Sequence, residues 1–562
     1  MQDEPRGGER PRDLVVIGGG MGGLAAAALA QRLGLDTALL EAHTRLGGCA
    51  GYFPRGPYTF DVGATALMGV GPGEPVGDLL DVLGAPFTAE PSSAYRVHLP
   101  DRRLDIVDDP DRFIAAVLAV FPTGDGLAPA ALRRFWRLQQ AVGARLVAAA
   151  TEIVRLPVSR PADLAHDLRI LGVRGLLAAM TSAVTVDDVL RLLDLGRDRG
   201  FRALVAMLLQ DTAQAGPETV PFANAAACLY AYRAGMSRPR GGMHALVEGI
   251  GRRFAELGGD LRTATLVDRV EVLRNDREPG TGRGEANTGA RFAVVTRRRQ
   301  RIFARQVVFN LPLDLAARLL DRPLSGRLAR AEQKSRAAWS AFTGYLAIDR
   351  KAVPDDAPLF HQVLRSYDRP LHDANNVLVS LSPLDDPGYG PATVRVATLS
   401  THTRPAGWES LDREAYRQRK TEFQSRMLAA LGQALPNAPN ALLHAEFGSP
   451  RSVRRYTRRT LGAVGGAPVA WSNSNFLAVG SDVLGPGLWV VGDSVFPGQS
   501  TMATVLSAIR VIERIAGVSW AAIRALPRPR RSVSPHRDQP ADRIVPFTEA
   551  ARVVLMEPRG SD

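Results

Sequence analysis

The chain has 562 residues, 45% of them hydrophobic, enough to bury a large core in two or more lobes. Its net charge of +13 is carried almost wholly by arginine, since Lys334, Lys351 and Lys420 are the only lysines; acids are interleaved with the arginines and no nucleic-acid motif accompanies them, which argues against a nucleic-acid partner. Cys49 and Cys228 cannot build a disulfide framework, no charge-free apolar run reaches spanning length, and Met1 to Arg12 lacks a signal peptide's apolar stretch, so the reading is a cytoplasmic protein, soluble or peripheral on the cytoplasmic membrane.

The first predicted element is a strand, Leu14 to Ile17, running into Gly18-x-Gly20-x-x-Gly23. An alanine-rich helix follows, stops at Gly34, and leads to a second strand ending at Glu41. Gly18 permits a tight turn, Gly20 lets backbone approach a pyrophosphate, and Gly23 lets the helix pack on the strand. The helix N-terminus offers N–H groups and a positive dipole end to phosphates. Glu41, eighteen residues past Gly23, can accept hydrogen bonds from ribose hydroxyls. A glycine loop alone is weak evidence. Strand, loop, helix, stop, strand and acid in this order predict a dinucleotide site.

Gly47-Gly48 comes next, then "YTFDVGATALMGVGPGEP", whose glycines suggest a loop crossing the cofactor. A mostly helical stretch is predicted over 76–234. Within it Leu171 to Val186, broken only by Arg174, reads first as a buried core helix; a surface dipping into lipid or lining a tunnel is the alternative. Phe201 to Ala215 is a second apolar helix that could line the same cavity. Residues 235–313 return as a glycine loop, helix, turn and strands, with Asn275 to Ala290 read as a hairpin tip. From 314 to 480, helices mix with alternating strands such as "NNVLVSLSP" and "ATVRVATLSTH", suggesting an antiparallel sheet in a second lobe.

A strand at Leu488 to Val491 then delivers Gly492-Asp493, followed by a loop and a helix to about Ile515. An Asp at a strand end can accept from ribitol hydroxyls, and the helix N-terminus after it can face the electron-rich edge of an isoalloxazine. NAD has no ribitol, so the paired motifs favour FAD. The implied division is a discontinuous FAD-binding domain (12–75, 235–313 and 481–518), a substrate- and membrane-facing domain (76–234 and 314–480), and a Pro- and Arg-rich disordered tail (519–562).

From Gly18 nearly to Ile515 the chain resembles the phytoene desaturase, carotenoid isomerase and retinol saturase group of flavoproteins. Four passages most resemble bacterial carotenoid 3',4'-desaturases: "GGCAGYFPRGPYTFDVGATALMGVGPGEP", "FRALVAMLLQDTAQA", "TLGAVGGAPVAWSNSNF" and "VGDSVFPGQSTMATVLSAIRV". The resemblance implies an α/β amine-oxidase-like fold, with a Rossmann FAD domain and a discontinuous α+β second lobe. It implies that Gly18, Gly20, Gly22 and Gly23 hold the pyrophosphate and Glu41 the ribose. Val267 would lie against the adenine, Asp493 on the ribitol or pyrophosphate, and Met502 beside the isoalloxazine. Gly48, Gly63 and Gly492 complete the cofactor loops, with Gly241-Gly242-Met243 as neighbours; for Met243 and Met502 ordinary core packing is the competing reading. Cys49 stands where an arginine commonly follows the second Gly-Gly, and His43 replaces a frequent basic phosphate contact. The polyene members also tend to carry a small residue after Gly-Gly, so Cys49 argues for a polyene enzyme over an amine oxidase and leaves the pyrophosphate to backbone N–H groups and the helix dipole.

The activity implied is FAD-dependent desaturation near the acyclic end of a conjugated carotenoid, in carotenoid biosynthesis. The alternatives are a carotenoid cis-trans isomerase or a retinol-saturase-like reductase, and more distantly an amine oxidase or a Rab-escort-like binding module without flavin chemistry. No catalytic triad, metal motif or carboxylate pair stands out. His244 is a candidate proton acceptor against a capping or solvent-facing reading, and the sequence leaves the electron acceptor and the exact polyene open.

Overall fold

The computed structural model describes residues 10–121, 127–273, 289–322 and 326–529. All but the last two residues of the predicted 275–290 hairpin tip, and the tail from 530 onward, lie outside the described residues.

The predicted first strand, Arg12–Ile17, is central to a seven-stranded sheet. It pairs in parallel with Thr37–Leu40 on one side and Arg301–Phe309 on the other. Asp260–Arg262 continues one edge, Phe292–Thr296 and Val267–Val272 the other, and Leu488–Val490 runs parallel to Arg301–Phe309. Leu14, Val15 and Val16 are fully buried, which fits an uninterrupted apolar run in a strand covered on both faces. The register sets Ile17 beside Leu40 and Phe309, and Phe309 beside Val490. Gly18, Glu41, Asn310 and Gly492 therefore emerge together at the carboxyl ends of neighbouring strands, where ligands bind in open α/β sheets.

Helix Met21–Arg32 covers this sheet and packs against helices Gly242–Glu256 and Thr501–Ala516. Its alanines, Ala25 to Ala28, are completely buried, and their small side chains let all three helices approach closely.

A second seven-stranded sheet has the order Leu442–Gly448, Ser340–Asp349, Val394–Thr403, Asn376–Leu381, Phe360–Leu364, Tyr95–His98, Arg103–Ile106. All its pairs are antiparallel except Phe360–Leu364 with Tyr95–His98. The stretch read as mostly helical thus contributes two strands to this sheet. Each is only four residues long, too short for the period-2 pattern to stand out.

Two further readings are corrected. Residues 519–529 do not begin a disordered tail: Trp520–Arg524 is helical, Ser519 caps it, and Trp520 and Ile523 are buried. Arg32 Nη2 also donates to the Pro527 carbonyl at 2.6 Å. Two buried apolar side chains outweigh a local composition dominated by Pro and Arg. Nor is the stretch around Leu171 to Val186 a core helix. Helix Pro161–Met180 is interrupted at Gly172 (φ 54), and Val173, Leu177 and Met180 are 75%, 59% and 69% exposed.

Among the described residues no helix is long and apolar enough to cross a membrane.

Candidate cofactor and substrate site

The strand ends open into a cavity of about 1320 Å³, larger than the ~300–1,000 Å³ of ordinary ligand pockets. One limb is built from the glycine loops. Gly18, Gly20, Gly22, Glu41, Gly48, Gly63, Val267, Gly492, Asp493 and Met502 all line the cavity. The other limb is apolar, with Leu146, Leu164, Leu168, Leu171, Leu176 and Ala227 from helices Pro129–Thr151, Pro161–Met180 and Phe222–Arg233.

The loop geometry follows from the sequence. Gly18 has φ +103, a left-handed value that disfavours any side chain, and its N–H donates to Leu40 O at 2.8 Å. Helix Met21–Arg32 starts at Gly20 with no side-chain cap, so its N-terminus can serve a ligand. Glu41 is held by its own surroundings: Oε2 accepts from the Gly19 N–H at 2.6 Å and Oε1 from the His43 N–H at 2.7 Å. The Gly47-Gly48 turn is tied to the Gly63 loop, since Ala64 N–H donates to Cys49 O at 3.0 Å and Val62 N–H to Gly51 O at 2.9 Å.

Several sequence-predicted neighbours lie elsewhere. Gly23 is off the cavity wall. A Cβ there would run into the Gly18 carbonyl, so this glycine serves helix-on-strand packing. Gly241, Gly242 and Met243 are also off the wall. The Met243 N–H donates to Asp61 Oδ1 at 2.9 Å, while Asp61 Oδ2 accepts from Tyr389 at 3.0 Å and pairs with Arg238 at 3.1 Å. Asp61 and Arg238 are both fully buried; burial raises the Asp61 pKa and the guanidinium opposes it. This cluster anchors the Gly63 loop from behind. His244 is absent from the wall; its ring packs 4.9 Å from Tyr52, and burial lowers its pKa. It is not placed to take a proton in the cavity. Met502 does line the cavity, and it leans on Gly69, whose φ of +75 leaves room for its sulfur.

Sequence reasoning missed two residues. Asn310 follows the strand Arg301–Phe309, and its Nδ2 donates to Gly18 O at 3.2 Å. It fills the space that side chains at Gly20 and Gly22 would need. Arg459 Nη2 pairs with Asp493 Oδ2 at 2.9 Å and donates to Gly465 O at 2.7 Å, and it lines the cavity. Burial disfavours its charge, but Asp493 and Cys49 outweigh that, so its pKa is raised. Burial also raises the pKa of the Cys49 thiol, opposed by Arg459. Arg459, some 410 residues further along the chain, thus brings a cation beside the Cys49 position. One arginine in an arginine-rich chain carries no local signal.

A profile of the flavin containing amine oxidoreductases matches residues 21–463. The chain belongs to this family. The prolycopene isomerase of Arabidopsis thaliana is 23% identical over 530 residues, covering 91% of this chain and 83% of that protein. The phytoene dehydrogenase of Streptomyces griseus is 27% identical over 331 residues, 55% of this chain and 56% of its own length. The solved cyclohexylamine oxidase of Brevibacterium oxydans superposes with a TM-score of 0.57 at 14% identity, over 92% of this chain and 99% of that one. That likeness establishes the amine-oxidase-like fold. The chain is an FAD-dependent oxidoreductase. The glycine loops, the open helix end and the oriented Glu41 carboxylate fit that cofactor.

Proposed function

We propose that this enzyme acts on a carotenoid, desaturating a conjugated polyene near its acyclic end in carotenoid biosynthesis, while docked peripherally on the cytoplasmic membrane. The observation that carries the reading is one cavity lined both by the cofactor loops and by an exposed apolar helix. A long polyene needs such a route from bilayer to flavin. The names of the relatives, prolycopene isomerase and phytoene dehydrogenase, support the same substrate class.

The chain's part is to bind, orient and exclude water. In this reading the 12–75, 235–313 and 481–518 segments hold FAD and the 76–234 and 314–480 segments receive the polyene. Gly18, Gly20 and Gly22 admit the pyrophosphate at the helix N-terminus, Glu41 holds the ribose, and the Val267 backbone faces the adenine. Asp493, with its Arg459 partner, serves the ribitol or pyrophosphate, while Met502 and the Gly48, Gly63 and Gly492 loops border the ring. Bound FAD supplies the two-electron acceptor. The leucines of the apolar limb keep the reacting carbons dry and aligned. Exposed Val173, Leu177 and Met180 enter the lipid interface, and Arg160, Arg169 and Arg174 on the same helix add about 1 kcal/mol each at an anionic surface.

Incubation with defined carotenoids in liposomes tests the reading. Desaturation lowers the product mass by about 2 Da per new double bond and shifts absorption to longer wavelength. Alignment with a prolycopene isomerase over 91% of this chain favours one second reading, cis-trans isomerisation. An altered spectrum at unchanged mass would identify it. A polyene recovered unaltered, with an amine oxidised in its place, would remove both.

A further inference from the structure

Among the described residues, the apolar limb contains one carboxylate that no cation compensates. Asp211, near the end of helix Arg199–Thr212, lines the cavity. The other acid on this limb, Asp167, accepts the Arg155 N–H at 2.6 Å and lies within the field of Arg510. Among the described residues Asp211 has a single hydrogen-bond partner, the Tyr232 hydroxyl, which donates to Oδ2. That tyrosine is itself held in place. Its ring meets Tyr95 edge-on at 4.8 Å, the Tyr95 hydroxyl donates to Gln362 Oε1 at 2.8 Å, and Gln362 Nε2 donates to Met207 O at 3.2 Å on the helix that carries Asp211. This chain of contacts, ring packing included, therefore ends in one part-buried carboxyl group with Oδ1 unused.

The position adjoins the cofactor loops. Asn224, on the same helix as Tyr232, meets Asn475 beside Phe476, which is 63% exposed. Tyr232 lies eight residues further along that helix, about 12 Å at 1.5 Å per residue. The residue after Asp211 is tied to the cofactor loops: Gln499 Nε2, two residues before the helix that follows Gly492-Asp493, donates to Thr212 O at 3.2 Å. An uncompensated carboxyl in an apolar wall is costly, and such groups cluster where chemistry needs them.

We propose that Asp211 is the catalytic residue that receives the proton leaving the polyene, with Tyr232 as its positioning residue; this rests on the polyene reading above. When a double bond forms, one C–H bond breaks and its electron pair leaves with hydrogen as hydride to oxidised FAD. The C–H bond on the adjacent carbon breaks, its electron pair becomes the new π bond, and its proton passes to Asp211 Oδ1. The polyene is oxidised by two electrons and the flavin reduced by two. Burial raises the Asp211 pKa and the Tyr232 hydrogen bond restrains it, which suits a group that accepts a proton in one half-reaction and gives it up in the next.

The test is anaerobic single turnover of the holoenzyme with carotenoid liposomes, following flavin bleaching. Asp211→Asn should keep FAD content and the absorption shift of bound polyene within about twofold, and slow bleaching roughly 10²–10⁴-fold. Tyr232→Phe should move the acid limb of the pH–rate profile to higher pH, because the bond that favours the carboxylate is gone. In the substrate-free holoenzyme, a protonated-carboxyl infrared band should titrate in wild type and be missing from Asp211→Asn. Bleaching of Asp211→Asn within about threefold of wild type, an unmoved acid limb, or an effect confined to KM for oxygenated polyenes would overturn the assignment. A wild-type flavin that no polyene bleaches would strike the polyene reading itself, and the assignment with it.

Discussion

Two helices rich in Ala and Leu have opposite fates. Met21–Arg32 (MGGLAAAALAQR) is buried from Met21 through Ala30, and its polar residues sit at the exit. Pro161–Met180 buries only Asp163, Asp167, Gly175 and Ala178; Leu164, Leu168, Leu171 and Leu176 line the cavity, and Val173, Leu177 and Met180 are exposed. Its acids are satisfied from the core side: Asp163 pairs with Arg514 at 3.0 Å, and Asp167 accepts the Arg155 N–H. Two acids inward and three large apolar side chains outward is unusual for a globular surface. Apolar composition alone does not place a helix; which side chains the rest of the protein can satisfy does.

The comparison breaks most violently at Gly23. Adding a methyl there forces the Gly18 carbonyl aside, so Gly23→Ala should cost about 3 kcal/mol or more and yield little FAD-bearing protein, measured by flavin absorbance per protein after purification. Next comes one chemical change made in both helices. Leu24→Ala, at a fully buried site, should destabilise by about 2–5 kcal/mol, and Leu177→Ala by less than about 0.5, read as shifts of urea midpoints. Equal losses would mean that Leu177 is covered in solution. At the cofactor limb, Glu41→Ala should weaken FAD binding by ~1–3 kcal/mol, since the ribose hydroxyls lose a charged acceptor; an unchanged FAD dissociation constant would reassign Glu41. The smallest stability effect is the most telling for location. Val173→Ser with Leu177→Ser and Met180→Ser should leave thermal unfolding nearly unchanged while liposome recovery collapses.

The N-terminal strand, glycine loop and Glu41 were legible because each physical demand there falls on a few consecutive residues. Gly492-Asp493 was legible for the same reason. Asn310, Arg459 and Asp211 were not, since each acts through a partner on another element, Gly18, Asp493 and Tyr232 respectively, and none sits in a pattern of its own. A lipid-dipping or tunnel-lining Leu171 to Val186 stood as an alternative to a core helix, and periodicity could not choose between them. The partners of Asp163 and Asp167, from distant parts of the chain and from the preceding loop, decide which face points in. Trp520 was obscured by its neighbours, whose Pro and Arg content dominates any local average.

The strand Leu488–Val490 joins the sheet founded by Arg12–Ile17 only near the end of the chain, with about 470 residues between Gly18 and Gly492. During synthesis at ~5–20 residues per second, the first glycine loop waits roughly half a minute to a minute and a half for its counterpart. Through that interval the alanine helix lacks the Thr501–Ala516 surface that buries it, and the cavity has no far wall. A complete cofactor cavity therefore exists only once the chain has been made through Ala516.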